Sequence, residues 1–325
     1  MTPDLFDAPD QAGFGSNVHE VASEGECRVL RLDGSTGEGF MTMYRVFEGI
    51  YLMYNDFHLR RCESHYRNED AVLCIDHCRE GRIEHENLQG GRYYMEAGDL
   101  RIDKRVQHEG RVELPLSHYH GISIGFLHDS AHKSLKREMP FLKTDPEALA
   151  QKFCPDQKEF LLRSNESVNA VFSQLYAVPR RIRLDYFRVK IAELLLLLSD
   201  IDTAAFAGSL QYFPASQTEK VKELHSIITG RLDKSYTVEE LSRISGMPSA
   251  SLRKVFKAVY GAPVYQYVKR YKMKAAAELL ISENNLNIAE IAQRLGYDNA
   301  SKFSSAFRDI MGVTPQHYRN RQEDL

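Results

Sequence analysis

The strongest constraint in this chain is a pattern that occurs twice, about fifty residues apart, near its C-terminal end. In the first copy, TVEELSRISG, Thr237 stands where a helix needs an N-cap, and Glu240 follows three residues later, the spacing of a capping box. Val238, Leu241 and Ile244 share one helical face, and Gly246 then supplies a residue able to take the left-handed backbone of a tight turn. The next segment, SASLRKVFKAVYG, predicts a second short helix from Ser249, with Leu252, Val255, Phe256 and Val259 inward and Arg253, Lys254 and Lys257 outward. In the second copy, NIAEIAQRLGY, Asn287 and Glu290 repeat the capping box, Ile288, Ile291, Ala292 and Leu295 repeat the apolar face, and Gly296 repeats the stop. NASKFSSAFRDIMG follows, with Phe303, Phe307 and Ile310 apolar and Lys302 and Arg308 outward. One amphipathic helix pair fits many folds. Two copies in tandem, each with a second helix that is basic on its exposed side, point to paired helix-turn-helix units.

Between the copies, VYQYVKRYKMKAAAELLIS reads as one helix ending near Ser282, with Pro263 in its first turn. Some 18 residues at about 1.5 Å each span roughly 27 Å, close to the 34 Å or so of one turn of B-DNA. The two outer helices are therefore spaced to enter successive major grooves. Charge is distributed to match. Residues 237–321 hold 13 Lys and Arg against 7 Asp and Glu, while the rest of the chain holds 29 against 38, within an overall net charge of −3. A basic end on an acidic body suits a chain of which only the end meets a polyanion, although a solvated basic face has the same composition.

Over its last hundred or so residues the chain resembles the DNA-binding domain of the AraC/XylS family of transcriptional regulators. The resemblance is carried by Leu252 and Phe256 in SLRKVFK, by RYKMKAAAELL, by IAEIAQRLGYDNASKFSSAFR, and by GVTPQHYR from Gly312 to Arg319. It implies that the first recognition helix presents Ala250, Arg253 and Lys254 to base edges, and the second Ala300, Ser301, Lys302 and Ser305. Arg253 has the fork geometry for a bidentate contact to guanine. Lys254, Lys257, Lys302 and Arg308 equally suit phosphate contacts, which set affinity and register without reading sequence. The small Ala250, Ala300, Ser301 and Ser305 suit thymine methyls or light reading, and Pro315 and Tyr318 read as structural. The family also implies an effector-binding cupin-like β barrel with dimerisation helices at the N-terminal end, promoter DNA and RNA polymerase as partners, a homodimer, and activation of transcription.

The expected fold is thus α+β, with an effector-binding and dimerisation domain over residues 1–202, a linker and hinge over residues 203–217, and a helical DNA-binding domain over residues 218–325. Residues 1 to about 39 show no sustained period and suggest a loose lead-in with one or two strands. From about Ile50 to Leu127, runs rich in aromatic and β-branched residues alternate with breaks at Arg79-Glu80-Gly81, Gly90-Gly91 and Ala97-Gly98-Asp99, which reads as antiparallel strands. Ile83, His85 and Asn87 alternate imperfectly against Glu84, Glu86 and Leu88. Helical periods follow from Asp145 to Phe153, from Asn165 to Tyr176, and from Tyr186 to Leu198, where Phe187, Ile191, Leu194, Leu195 and Leu198 form a stripe expected to be core.

Candidate pocket residues in the N-terminal part are Tyr93, Tyr94, His118 and His120. The two histidines lie in HYH, two apart as on one strand face, but the glutamate of a metal-binding cupin motif does not follow in GISIGFLHD, so no metal and no cofactor is expected. No nucleophile with its base, phosphate loop or metal motif marks an enzyme. Two other readings stay open beside an effector sensor: a domain that only dimerises or binds a protein partner, and a cupin-type enzyme with a DNA-binding tail. Five scattered cysteines, acids at the N-terminal end and no apolar run longer than that near Leu194–Leu198 suggest a cytoplasmic chain without a membrane span.

Overall fold

A computed structural model describes residues 14, 16–87, 89–155, 158–206, 210–283 and 285–323. These form two compact units: residues 1–87 with 93–212, and residues 88–92 with 213–325.

The first unit is built on a strand-rich half-barrel sheet. Its strands are β1 (Val18–Glu24), β2 (Cys27–Gly34), β3 (Gly37–Phe47), β4 (Ile50–His58), β5 (Arg61–Glu86), β6 (Gly91–Glu96), β7 (Leu100–Glu113), β8 (Tyr119–Leu127) and β9 (Phe160–Leu162). They run in the order β1-β2-β3-β4-β8-β5-β6, with β7 beside β5 and β9 beside β7. Side chains alternate between the two faces of a strand. On one face Ile50, Leu52, Leu73, Ile75, Ile122 and Ile124 meet the helices α1 (His128–Glu138), α2 (Pro146–Phe153), α3 (Glu166–Tyr176) and α4 (Arg183–Asp200) in a single apolar core. The expected stripe of Phe187, Ile191, Leu194, Leu195 and Leu198 on α4 is buried there. On the other face Leu30, Leu32, Met41, Cys78, Tyr93 and Tyr119 form a second apolar cluster.

A buried row of charge crosses the sheet. Asp76 on β5 stands opposite Ser123 on β8 and Arg101 on β7. Asn55 donates to Ser123 at 2.9 Å, Ser123 donates to Asp76 at 2.6 Å, and Arg105 donates to Asp76 at 2.7 Å and to Asp103 at 2.9 Å. Arg101 reaches Glu159 at 3.0 Å. Burial pushes the Asp76 carboxyl up, but the Arg105 and Arg101 guanidiniums outweigh it and hold the group below its usual range.

Several expectations change on the structure. Arg79-Glu80-Gly81 is no break: β5 runs through it, with a bulge between Cys78 and Glu80 and Gly81 at φ 89°. Gly81 is required because a Cβ there would overlap the carbonyl oxygen of His118, the residue just before β8. Arg82 and Glu84, not Ile83 and His85, are the buried positions of that stretch, and Glu84 accepts a hydrogen bond from the Tyr94 hydroxyl at 2.6 Å. Helix α1 follows β8 directly and was not expected. Residues Ala215–Gln217, expected as linker, are the first turn of a helix, and residues 207–209 of that segment lie outside the described residues, as do residues 1–13 of the lead-in.

The second unit is helical: α5 (Ala215–Thr229), α6 (Val238–Ser245), α7 (Ser249–Tyr260), α8 (Val264–Ser282), α9 (Ile288–Arg294), α10 (Ala300–Met311) and α11 (Pro315–Glu323). Both expected capping boxes are present. The Thr237 hydroxyl accepts the Glu240 N–H while the Glu240 carboxylate accepts the Thr237 N–H, and Asn287 with Glu290 does the same. Pro263 is the residue flanking α8, one position outside the helix. Met273, Ala276, Ala277 and Leu280 of α8 pack with Ile291, Ala292, Leu295, Phe303 and Phe307. On its earlier turns Tyr267 and Tyr271 join Phe256, Tyr260 and His225, whose Nε2 lies 2.8 Å from the Tyr267 hydroxyl. Among the described residues, no helix is long and apolar enough to cross a membrane.

Gly296 joins the second helix pair to the loop after α5: it has φ 72°, and a Cβ would overlap the backbone carbonyl of Asp233. Gly296→Ala is therefore expected to lower the stability of this unit by about 1–3 kcal/mol, a strained-backbone penalty that urea unfolding of the full chain would report. A midpoint unchanged from wild type would refute the close approach.

Candidate nucleic-acid interface

Two helices present similar faces. On α7, Ala250, Arg253, Lys254 and Lys257 are exposed at spacings of three and four, opposite the buried Leu252, Val255, Phe256 and Val259. On α10, Ser301, Lys302, Ser305 and Arg308 are exposed and Ala300 is half-buried, opposite Phe303, Ala306 and Phe307. Asn299 caps α10 by accepting the N–H groups of Ser301 at 2.7 Å and Lys302 at 3.4 Å. Gly261 and Gly312 end the two helices in left-handed conformations.

The cations are available. Among the described residues Arg253 meets Glu239 at 3.8 Å, both side chains being more than 60% exposed, an ion pair too weak to resist a nucleic-acid partner. The residues expected on each recognition helix thus lie on one face of α7 or α10, with α8 between them. At 19 residues α8 is about 28 Å long. Arg243, Arg270 and Lys274 are also exposed, and sequence reasoning passed over them because they lie on the supporting helices α6 and α8. Pro315 is buried, and Tyr318 meets the Phe307 ring edge-on at 5.5 Å, a packing role.

In the first unit, the four candidate pocket residues do not converge. Tyr93 and Tyr94 are successive on β6 and point to opposite faces, their hydroxyls donating to Glu159 at 2.5 Å and Glu84 at 2.6 Å. His118 and His120 lie close, with ring centroids 6.4 Å apart. His118 Nδ1 donates to the Leu116 carbonyl at 3.0 Å, and His120 Nε2 lies 3.2 Å from Asp56. Asp56 and His58 were missed, because the strand that carries them is more than sixty residues away from HYH in the chain. A cavity of about 260 Å³ opens elsewhere, lined by His77, Cys78, Arg79, Gly98, Asn169, Ser173 and Tyr176. His77 stacks flat on Phe172 at 4.2 Å, and its Nε2 lies 2.9 Å from Asn169 Oδ1. Cys74 and Cys78 are four apart along β5, about 13 Å by strand rise, too far for a disulfide. Burial pushes the Cys74 thiol up to about 12 and that of Cys78 up as well, so neither is a reactive thiolate.

Residues 241–321 match the family described as a helix-turn-helix domain. The second unit is therefore a helix-turn-helix DNA-binding domain. More narrowly, it is of the AraC type, the DNA-binding part of AraC/XylS regulators. A protein named as a probable transcriptional regulator, LumQ of Photobacterium leiognathi, is 30% identical over 34% of this chain and 45% of its own length. The transcriptional activator AarP of Providencia stuartii is 27% identical over 32% of this chain and 76% of its own. An AraC-like transcription regulator of Streptomyces lividans is 34% identical over 26% of this chain and 28% of its own. The chain thus spans less than half the length of the first of these relatives, and the similarity falls on about a third of this chain.

Burial holds the His77 imidazole down at about 4, against an ordinary 6.5, with the Asn169 hydrogen bond only partly restoring it. The folded ring stays neutral while the unfolded one takes a proton below 6.5, so its contribution is complete above that pH and is lost as pH falls towards 4. His77→Gln is expected to be less stable than wild type at pH 7, with the gap in thermal midpoint narrowing between pH 6.5 and 4.5. A gap constant across that range would contradict a neutral buried imidazole.

Proposed function

We propose that this chain is a sequence-specific transcriptional regulator that binds promoter DNA through α7 and α10 in successive major grooves. The observation that carries the reading is the pair of exposed, cation-bearing helix faces, each helix closed by a left-handed glycine and buried on its other side, in two helix pairs joined by α8. Ala250, Arg253 and Lys254 of α7, with Ala300, Ser301, Lys302 and Ser305 of α10, face base edges. Lys257 and Arg308 meet phosphates. One relative is named an activator, which favours activation beside RNA polymerase over repression.

The N-terminal unit then acts as a cupin-like sensor and dimerisation domain. Its half-barrel sheet and the cavity beside His77, Arg79 and Tyr176 suit a small polar effector. A ligand changes promoter occupancy only by binding two arrangements of the chain unequally, which makes the segment 203–214 the expected hinge. Dimerisation is supported by exposed apolar residues on the outer side of α4, Val189 and Leu196, with Ile182 at its N-cap. Ile182, Val189 and Leu196 recur every seven residues and are 44%, 63% and 50% exposed, an a-type seam left over after the core stripe is buried.

Two experiments test these points. After genome-wide mapping has supplied a cognate site, fluorescence anisotropy with Arg253→Ala should cost about 1–3 kcal/mol and relax preference at one base pair, whereas Lys257→Ala should weaken cognate and scrambled DNA alike. Equal losses on both DNAs for Arg253→Ala would remove that residue from base reading. For the dimer, Val189→Glu together with Leu196→Glu should halve the mass measured by light scattering without changing the circular dichroism, and an unaltered dimer would move the interface elsewhere.

A further inference from the structure

Asp56, His58 and His120 converge at the end of the sheet face that carries Ile50, Leu52 and Tyr54 along β4. Asp56 and His120 are a direct cross-strand pair between β4 and β8, and His58 stands two residues beyond Asp56 on the same face. His58 Nε2 is 2.9 Å and His120 Nε2 3.2 Å from one oxygen, Asp56 Oδ1. The three donor atoms all lie within 4.8 Å of one another, and the two imidazole rings meet edge-on with centroids 5.3 Å apart. We infer that these three side chains bind a divalent first-row transition-metal ion of the zinc type, at a site separate from the helix-turn-helix unit.

The chemistry of the donor set selects the cation. Two imidazoles and a carboxylate suit Zn²⁺ and its neighbours, whereas Mg²⁺ and Ca²⁺ take oxygen ligands almost throughout. Distance agrees. Ligands bound at about 2.1 Å in a tetrahedron are roughly 3.4 Å apart, so the two imidazole–carboxylate separations of 2.9 and 3.2 Å need to open only slightly, and the two imidazole nitrogens already lie within 4.8 Å of each other. A fourth position is left for water or for His118. In the neutral ring its Nδ1 carries the proton given to the Leu116 carbonyl, which leaves Nε2 as the nitrogen with a lone pair. The frame is preorganised, since the ligands sit on paired strands and the backbone of β5 at Gly81 is pressed against the His118 carbonyl. The side chains remain reachable from solvent, at 52%, 61% and 32% exposure for Asp56, His58 and His120.

The alternative is a metal-free trio in which the imidazoles hydrogen-bond to the carboxylate. Isothermal titration of the full chain with ZnCl₂, after dialysis against a chelator, separates the two. Wild type is expected to bind one equivalent, and His58→Gln and His120→Gln each to weaken binding by at least about tenfold, while His19→Gln, on a different strand pair, leaves it unchanged. With Co²⁺ in place of Zn²⁺, wild type should develop visible d–d absorption that both ligand variants lack. All three substituted histidines are exposed or half-buried, so circular dichroism should stay at the wild-type form. Absence of binding in wild type, or an unchanged affinity in both ligand variants, overturns the site.

Discussion

Everything in the DNA-binding unit depends on the burial of α8 from two sides. Helices of seven and eight residues such as α9 and α6 are too short to persist alone in water, since nucleating a turn costs more than a few hydrogen bonds return. Their capping boxes satisfy orphan backbone groups at one end, and the rest of their stability comes from packing. Helix α8 supplies it with small residues, Ala276 and Ala277, that let α9 and α10 approach, and with Tyr267 and Tyr271, which fill the wider space towards α5 and α7. Among the described residues the exposed cations of α7 and α10 make no buried ion pair, Arg253 meeting the exposed Glu239 at 3.8 Å.

The N-terminal unit follows a different logic. Its row from Asn55 through Ser123 and Asp76 to Arg101 and Arg105 places charge inside a sheet, where a salt bridge at best breaks even against apolar packing. What the row secures is registry. Sliding one strand by a single residue would turn its polar partners to the opposite face and leave buried charges without counterparts, so wrong pairings are heavily penalised.

Legibility followed the range of the interactions. Thr237 with Glu240 and Asn287 with Glu290 are signals within one helical turn, and the helices they announce were read closely from sequence alone. Helix α1 was not, because it begins at His128 directly after a strand, with Leu127 at its N-cap making no side-chain hydrogen bond. Gly81 looked like a turn, since a glycine flanked by charges usually is one; only the approach of another strand explains why the chain continues straight through. The burial of charges on β5 and β7, such as Asp76 and Arg101, depends on partners tens of residues away, which no local pattern reveals. Of the interface, the exposed positions on α7 and α10 were legible because helical period alone decides them. Asp56 could not be joined to His120 without the pairing of β4 and β8.

In the proposed binding mode, with both helix pairs anchored on α8, the DNA-binding unit is a ruler of fixed length. Inserting one base pair between the two stretches of DNA it touches would move the second by about 3.4 Å and turn it by roughly 34° about the duplex axis. An α-helix packed along both flanks has no soft coordinate with which to follow, so the mismatch would have to be absorbed by twist in the DNA. Under that binding mode, operators would be selected for the distance between their halves as strictly as for the bases within them.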